Sequence, residues 1–531
     1  MFRLLGLLGG LAAVTDLGTG AAADESLARA VVASRLARAL GGDAEAVRDV
    51  VYVSLLEHVG CTAYSVELAA ALGDDVVATR AFLQADLSTR ETLATLVPAL
   101  ASATGRSRLG VTAAVLRHSA ALDRGGPAAT CEVARTAARR LGLPGPVLDA
   151  LAHTTASWDG SGVPAVAGAA IPYATRLAHV AAIATLFALL DSRDRATAEV
   201  RRRAGKTLDP ELAAVCLERA DEVLDGIGEV DAYELLLDVE PDPVRLVDPA
   251  RLEQVARVFG DMVDLKSPWL HGHSSAVADL AAAAGRRAGL GQDALGRLRC
   301  AGHLHDIGRA GVSSRVWNKP GPLSASERDQ ARLHPYHGER IVARVAALAP
   351  VAPLVGRHHE HLDGSGYPRG ALATDLSIEA RVLAAADAYR TLLEGRPHEP
   401  PHSATEAADR VRAEVRAGRL DGDAVEAVLA AAGHPGAGRR PRPAGLSPRQ
   451  VEVLRLVAAG LSNKEIGRRL VISPRTAEHH VQDVYSRIEV ATRAGAALFA
   501  MEHGLFGGPR DDGSQPGQGD PAAGRDPRRA R

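Results

Sequence analysis

The feature that most restricts how this chain can fold is an internal repeat. The segment 157–181, SWDGSGVPAVAGAAIPYATRLAHVA, resembles 361–386, HLDGSGYPRGALATDLSIEARVLAAA. Upstream, LLEHVG (55–60) resembles HLHDIG (303–308). In each half a polar residue followed by Ser, Glu25-Ser26 or His273-Ser274, precedes that motif by the same interval. Three matches in one order predict two copies of one domain.

Composition predicts that both copies are helical. Apolar residues make up 46% of the chain but aromatic residues only 3%, and Ala and Leu dominate. With 531 residues the chain is too long for one core, since a domain averages about 150 residues. We therefore expect an all-α protein of several domains. The net charge of −2 excludes a polycation, so any nucleic-acid surface must be local.

The cysteines and the N-terminal segment bear on the compartment. The four cysteines form no CxxC pair, which excludes a zinc knuckle or a thiol redox motif and fits a reducing cytoplasm. Residues 1–23 have the composition of a secretory signal, but we interpret them as an amphipathic or buried first helix. No other stretch approaches about 18 uninterrupted apolar residues, so we expect a cytoplasmic protein without a membrane span.

The second copy concentrates side chains that bind metals, each in an apolar, helix-forming context. They are His273, His305, Asp306, His334, His358, His359 and Asp387. Helices that project imidazoles and carboxylates into a bundle core form di-metal sites. Nitrogen and oxygen ligands without thiolate suit Fe, Mn or Co. Two such metals lower the pKa of bound water and hold the oxygens of a phosphoryl transfer.

Five of these residues lie in the motifs HDIG, HP (preceded by KPGPLS) and HHEHLDGSGYP, and Asp387 follows them later in the chain. In these motifs the second copy resembles the HD-GYP phosphohydrolases, the branch of the HD superfamily that hydrolyses cyclic-di-GMP. The resemblance implies two divalent metal ions (Fe, Mn or similar) and a nucleotide or cyclic dinucleotide ligand. One metal would be held by His273, His305, Asp306 and Asp387. The second would be held by Asp306 as a bridge, His334, and the pair His358-His359, whose division of ligation stays open.

Two departures from the family pattern bear on activity. Arg309 stands where the family usually has Lys after HDIG; it keeps the charge and can bind phosphate, but it cannot give up a proton. We assign catalytic roles to Asp306 and Arg309. Trp269 replaces a Glu with which some members build a third metal site, so two metals are expected. Tyr367 and Pro368 either shape the substrate entrance or only pack.

The first copy has lost this chemistry. Aligned on the repeat, the pair His358-His359 becomes Thr154-Thr155, and Asp387 becomes Ala182. Glu25 stands in place of His273, and Glu57-His58 in place of His305-Asp306. We expect no metal here and interpret Glu25, Glu57 and His58 as hydrogen-bonding one another.

The C-terminal segment 446–505 predicts four short helices. Ser447 with Gln450, and Ser462 with Glu465, form capping boxes, and Ser473 followed by Pro474 starts the third helix. Gly460 ends the first helix. The apolar residues expected to face inward are Leu454, Val457, Ile466, Leu470, Val484 and Ile488.

Its motifs SNKEI, ISPRT and ATRAGAALFA resemble the LuxR-type helix-turn-helix family. The resemblance implies that 476–488 enters the major groove of double-stranded DNA. The implied DNA-binding residues are Lys464, Arg475, Thr476, His479, His480, Gln482 and Arg487. Many relatives carry Lys where Glu478 and Gln482 stand, so a target sequence is not borrowed from them. A protein-interaction module is the alternative.

The expected architecture is two tandem HD-type helical bundles followed by a small four-helix LuxR-type domain. The boundaries are 1–238 for the degenerate copy, 250–432 for the second copy, 433–445 for a linker, 446–506 for the DNA-binding domain and 507–531 for a disordered tail. Segment 239–252 is interpreted as a second hinge.

One recognition helix reads half a site, so a homodimer is expected, with 494–503 as the natural contact and the upstream copies as a larger surface. Two functions stay open. One is a transcription regulator that hydrolyses a nucleotide signal. The other is a sensor-regulator that binds metal or nucleotide without hydrolysis.

Overall fold

In the computed structural model, residues 1–85, 89–433, 443–470, 472–503 and 505 are described. Helices account for nearly all of their regular structure. The strands in these ranges are β1 (Phe2–Arg3) and β2 (Leu246–Val247), which pair antiparallel. The all-α prediction is confirmed. The tail 507–531 and most of the linker 433–445, predicted to be disordered and flexible, lie outside the described residues.

Thirteen helices in the described residues precede β2. They are α1 (Leu4–Thr19), α2 (Glu25–Ala39), α3 (Ala44–Leu56), α4 (Ser65–Leu72), α5 (Asp75–Gln84), α6 (Thr89–Thr104), α7 (Arg108–Arg140), α8 (Gly145–Leu151), α9 (Tyr173–Leu190), α10 (Arg193–Arg203), α11 (Pro210–Glu218), α12 (Ala220–Val223) and α13 (Ala232–Asp238). A 3-10 turn, Val59–Tyr64, follows α3.

Fourteen helices follow β2 in the described part of the chain. They are α14 (Leu252–Asp264), α15 (His273–Arg287), α16 (Gln292–Leu304), α17 (Ser314–Trp317), α18 (Ala325–Arg332), α19 (His334–Ala343), α20 (Ala352–Arg357), α21 (Ile378–Glu394), α22 (Ala404–Arg416), α23 (Gly422–Ala432), α24 (Pro448–Ala458), α25 (Asn463–Leu470), α26 (Pro474–Ile488) and α27 (Arg493–Glu502). A 3-10 turn, Ile307–Gly311, follows α16.

The first helix belongs to the core. Most residues of α1 are buried, and it packs against α2, α13 and α19. Its Asp16 accepts hydrogen bonds from the backbone N–H and hydroxyl of Ser26. In the second copy Asp264, on α14, accepts the same two bonds from Ser274. The helix α1 therefore corresponds to α14, and the repeat extends to it.

Close backbone contacts also recur in the two copies. A Cβ at Gly308 would lie 2.0 Å from the carbonyl oxygen of His334, and one at Gly60 would lie 2.1 Å from that of Thr130. Only glycine allows this approach. Thr130 thus occupies the place of the candidate ligand His334. In the first copy α4, α5 and α6 are inserted between these two positions and form a small core of their own with α7.

The helix α9 is long and apolar enough to span a membrane by composition, but half of it is buried inside the protein. It packs against α2, α3 and α10. Its hydrophobic residues therefore serve the core of the first copy.

Segment 239–252, interpreted as a hinge, is anchored in the structure. It contains β2, which pairs with the N-terminal strand β1. The guanidinium of Arg48 also donates to the carbonyl oxygens of Pro241 and Pro243, at 3.1 Å each. Proline lacks an N–H donor but keeps its carbonyl acceptor, so a proline-rich segment can still be fixed by a cation.

Candidate functional site

Helix ends of the second copy deliver the candidate metal ligands. Two of the histidines are the first residues of α15 and α19, and two follow the last residues of α16 and α20. Asp306 enters the 3-10 turn after α16, and Asp387 projects from the middle of α21. All seven side chains meet in one buried cluster. They are His273, His305, Asp306, His334, His358, His359 and Asp387.

The cluster divides into two groups that Asp306 joins. In one group, His273 and His305 face Asp387, with 3.1 and 3.7 Å from their Nε2 atoms to its Oδ1. The Oδ2 atom of Asp306 lies 3.2 Å from Nε2 of His305. The carboxylate of Asp306 therefore points one oxygen at this group.

The other oxygen of Asp306 points at the second group. Its Oδ1 lies 3.2 Å from Nε2 of His334 and 3.6 Å from Nε2 of His358. His359 belongs to this group, and its Nδ1 also lies 3.7 Å from Oδ2 of Asp387. Both neighbouring histidines face the second group, and His359 additionally reaches toward the first.

The hydrogen bonds around Asp306 and the second group leave acceptor atoms that a cation would satisfy. His334 and His358 each donate Nδ1–H to a backbone carbonyl at 2.7 Å, so in the neutral rings Nε2 carries a lone pair. These two Nε2 atoms face each other at 3.1 Å. Both oxygens of Asp306 are buried without a hydrogen-bond partner. Facing lone pairs and an orphaned carboxylate are satisfied by a divalent cation.

The electrostatics keep ligand atoms available at Asp306 and in the second group of histidines. Burial alone would raise the pKa of Asp306, but Arg309 and His305 hold that pKa well below its usual range. Burial lowers the pKa of His334 to about 4. It also lowers the pKa of His359, with a contribution from the neighbouring His358. An ionised carboxylate and neutral imidazoles are the forms that bind metals.

Arg309, the departure from the family pattern, lies at the cluster. Its Nε is 2.8 Å from Oδ1 of Asp306, although neither atom makes a well-directed hydrogen bond there. Its guanidinium stacks 4.8 Å from the ring centroid of Trp317, which positions the charge beside the cluster.

Two functional candidates were missed in the sequence. Glu394 contacts His273 at 2.6 Å, and Arg396 donates to Thr391, whose hydroxyl in turn donates to Asp387. Glu394 lies seven residues after Asp387, two turns along α21, so helical spacing could have identified it. Arg396 lies beyond the end of α21, where spacing gives no such signal.

Comparison with known proteins identifies two domains. The HD domain family matches residues 257–424, and the luxR family of bacterial regulatory proteins matches 444–500. Residues 257–424 are an HD domain. Residues 444–500 are a luxR-type regulatory domain.

Two of the relatives of this chain are named as phosphodiesterases of cyclic dinucleotides. A 3'3'-cGAMP-specific phosphodiesterase of Vibrio cholerae is 34% identical over 245 residues, 45% of this chain and 53% of that protein. A cyclic di-GMP phosphodiesterase of Pseudomonas aeruginosa is 37% identical over 142 residues, 26% of this chain and 34% of that protein. The chain thus spans about half or less of the length of these relatives.

A solved structure shows that the fold extends beyond the HD domain. The crystal structure of a cyclic GMP-AMP specific phosphodiesterase of Vibrio cholerae superposes with a TM-score of 0.56 and 24% identity. The match covers 82% of this chain and 99% of that one. A share of this size is larger than either copy, so the common fold includes residues of both.

In the first copy an arginine occupies the centre of the degenerate site. The Nε atom of the buried Arg29 lies 2.9 Å from Glu57, and its Nη1 is 3.0 Å from Nδ1 of His58. Glu25 pairs instead with Arg80 at 2.9 Å. The sequence interpretation that the two glutamates and His58 bond one another is therefore wrong in detail, because each carboxylate has a guanidinium partner.

The luxR-type domain has the four helices, caps and inward-facing residues that the sequence predicts. Ser447 and Gln450 form the capping box, and Ser473 caps α26. Lys464, Arg475, Thr476, His479, Gln482 and Arg487 are exposed, and His480 is half-buried. The residues expected to contact DNA are thus accessible, and all but Lys464 lie on α26.

Proposed function

We propose that this chain is a DNA-binding regulator whose HD domain is a metal-dependent phosphodiesterase for cyclic dinucleotides. The observation that carries the proposal is the carboxylate of Asp306, which turns one oxygen toward each of two groups of histidines. A bridging carboxylate between two nitrogen-rich groups is the arrangement that holds a pair of divalent metals. The names of the similar proteins support a cyclic dinucleotide as substrate.

The metals would be held by His273, His305 and Asp387 on one side and by His334, His358 and His359 on the other. When bound, two divalent ions lower the pKa of water and neutralise the charge of a phosphodiester. The chain itself adds two guanidiniums, Arg309 and Arg396, near the cluster. Each can bind a phosphate oxygen bidentately and hold the scissile group in place, but neither serves as a proton donor.

A turnover assay tests this proposal. Protein loaded with Mn²⁺ should hydrolyse 3'3'-cGAMP or cyclic di-GMP, measured by chromatography of the products. Asp306→Asn should lower the rate at least about 100-fold, since even partners outside the ligand set change activity about 10–100-fold. Loaded wild-type protein without turnover of either dinucleotide would contradict the proposal.

The second candidate is a sensor that binds without hydrolysis, and the geometry of Arg309 favours it. This guanidinium lies against Oδ1 of Asp306, the oxygen that faces the second group of histidines. A charge that stays there opposes a cation at that group. Arg309→Lys separates the candidates. The sensor predicts that hydrolysis appears only in this variant, whereas the phosphodiesterase predicts turnover in wild type.

We also propose that the state of the HD site controls DNA binding. The luxR-type domain is docked on the HD domain: Arg257, on α14, donates to the carbonyl oxygens of Met501 and Glu502 at 3.1 and 2.8 Å. On the first copy, Glu132 accepts the N–H of Ala491 at 2.6 Å. The Arg257 contacts lie at the end of α27, the Glu132 contact lies just before its start, and both fix the domain independently of the linker.

A series of contacts connects the docked luxR-type domain to the candidate metal ligand His273. Asp261 pairs with Arg140 at 2.5 Å, lies 4.0 Å from Arg257, and accepts the hydroxyl of Ser275 at 3.2 Å. Ser275 belongs to the first turn of α15, which begins with His273. On the other side of this turn, the His271 ring contacts the carbonyl of Ala458 in the luxR-type domain. A shift of His273 would therefore displace both connections.

The test measures DNA affinity with and without Mn²⁺ at constant ionic strength. A random-sequence duplex of about 30 base pairs is long enough for two half-sites. Wild type should respond to the metal, and Arg257→Met should not. Arg286→Met, an exposed arginine on α15, is the control with the same charge change and should respond like wild type. An equal response in Arg257→Met and wild type, or none in wild type, would defeat the coupling.

Three further expectations complete the proposal. The boundaries 1–238, 250–432 and 446–506 divide the chain into its functional domains. The protein acts as a cytoplasmic homodimer on DNA. Since α27 packs on α7 and α14, a dimer through 494–503 requires the docked domain to separate, and otherwise the HD-type copies supply the contact.

A further inference from the structure

The four buried histidines of the cluster do not share one kind of hydrogen-bond partner. His305, His334 and His358 each donate Nδ1–H to the carbonyl three residues earlier, at 2.7 or 2.8 Å. These neutral carbonyls fix the ring orientation and leave Nε2 for a metal. His273 is the exception.

His273 is the first residue of α15. The residue before it, Gly272, has a left-handed conformation with φ 81, and the carbonyl three residues earlier, Leu270, accepts the backbone N–H of His273. The ring is turned toward a side chain instead, and its Nδ1 lies 2.6 Å from Oε2 of Glu394.

Glu394 is itself held for this contact. Arg390, one turn earlier on α21, donates from Nε and Nη2 to Oε1 of Glu394 at 3.1 and 2.7 Å. One carboxylate oxygen is thus committed to the guanidinium, and the other is directed at His273. The Glu394 side chain is mostly buried, so water screens this pair little.

We propose that Glu394 is a positioning residue for His273 and makes the His273–His305–Asp387 group the tighter of the two metal subsites. A carboxylate acceptor withdraws the Nδ1 proton more strongly than a carbonyl does, which raises the basicity of Nε2 and fixes the tautomer. The other group, His334 with its neighbours, has only carbonyl acceptors for its buried rings. This inference deepens the proposed function, since it assumes the metal pair.

Titration of the metal-free full chain with Mn²⁺ alone, by calorimetry and by metal analysis, tests the inference. Wild type should bind in two steps. Glu394→Gln keeps an acceptor but removes its charge, and should weaken the tighter step about 10–100-fold while leaving the weaker step unchanged. His334→Ala should weaken the weaker step and leave the tighter step unchanged.

Glu399→Gln is the matched control. Glu399, five residues after Glu394, pairs with Arg410 and His402, and none of its ion pairs in the described residues reaches the cluster. It should bind Mn²⁺ like wild type. If Glu394→Gln does not fold, Arg390→Gln releases the same carboxylate more mildly and should weaken the same step by a smaller factor.

Unchanged Mn²⁺ binding in both variants, or equal weakening of both steps, would overturn the inference. The experiment contains no nucleotide. A protein that binds Mn²⁺ in the expected order but hydrolyses nothing would refute the phosphodiesterase and leave the role of Glu394 intact.

Discussion

A buried ion pair joins the two copies, and its removal should destabilise the whole body of the protein. Lys266, after α14, and Asp75, at the start of α5, are both fully buried, and Nζ lies 2.8 Å from Oδ2. Lys266 also donates to the carbonyl of Ala310 at 3.0 Å. Asp75 further accepts hydrogen bonds from Ser313 and Ser314. This network ties the inserted helices of the first copy to the turn that follows HDIG.

Lys266→Met leaves the carboxylate of Asp75 buried without this cation. Breaking a buried pair from one side costs about 3–5 kcal/mol, and the serine hydrogen bonds that remain place the expected loss near the lower end, about 3 kcal/mol. For a domain of about 150–250 residues, a loss of about 3 kcal/mol corresponds to a fall in Tm of about 6–12 °C. Urea unfolding followed by circular dichroism near neutral pH measures the loss. Lys266→Met/Asp75→Asn should recover part of it.

The pH dependence gives a second check. Burial alone would raise the pKa of Asp75, but Lys266 and the serines lower it below the ordinary 3.8. Its contribution to stability is therefore present above pH 3.8 and is lost as the pH falls through the lowered pKa. The difference between wild type and Lys266→Met should shrink in acid. Arg412→Met, which breaks the exposed pair with Glu426, should leave the midpoint unchanged. A Lys266→Met protein as stable as wild type at neutral pH would refute the reasoning.

Two further predictions follow from the structure. Gly308→Ala should abolish Mn²⁺ binding, measured by metal analysis, because the new Cβ would meet the His334 carbonyl at 2.0 Å; Gly321→Ala, in open space, should bind normally. Burial lowers the pKa of His303 to about 3 from 6.5, with help from Arg257. The unfolded chain then takes up the proton first, and stability falls as pH drops from 6.5, by up to about 1.4 kcal/mol per pH unit. His303→Leu should flatten this slope in urea titrations, and a slope equal to that of wild type would count against the assignment.

Local sequence determined much of this protein. The motifs HDIG and HHEHLDGSGYP contain four of the seven candidate ligands of the second copy, and helices that project such side chains into a bundle core form di-metal sites. The C-terminal helices were readable from capping residues such as Ser447 and Ser473, because a cap satisfies backbone donors only a few residues away. The loss of ligands in the first copy followed from alignment on Asp159 and Asp363.

Tertiary structure alone decided which partners distant residues find. Nothing near Arg29 in sequence shows that its guanidinium fills the centre of the degenerate site, or that Lys266 meets Asp75 across 191 residues. From the sequence we expected only the linker 433–445 to connect the DNA-binding domain to the rest of the chain. In the structure Arg257 and Glu132 also bond to that domain directly. Caps, turns and ligand motifs are satisfied by neighbours along the chain, so sequence specifies them. Buried charges are satisfied by whatever group the packing brings within reach, and only the folded chain determines that group.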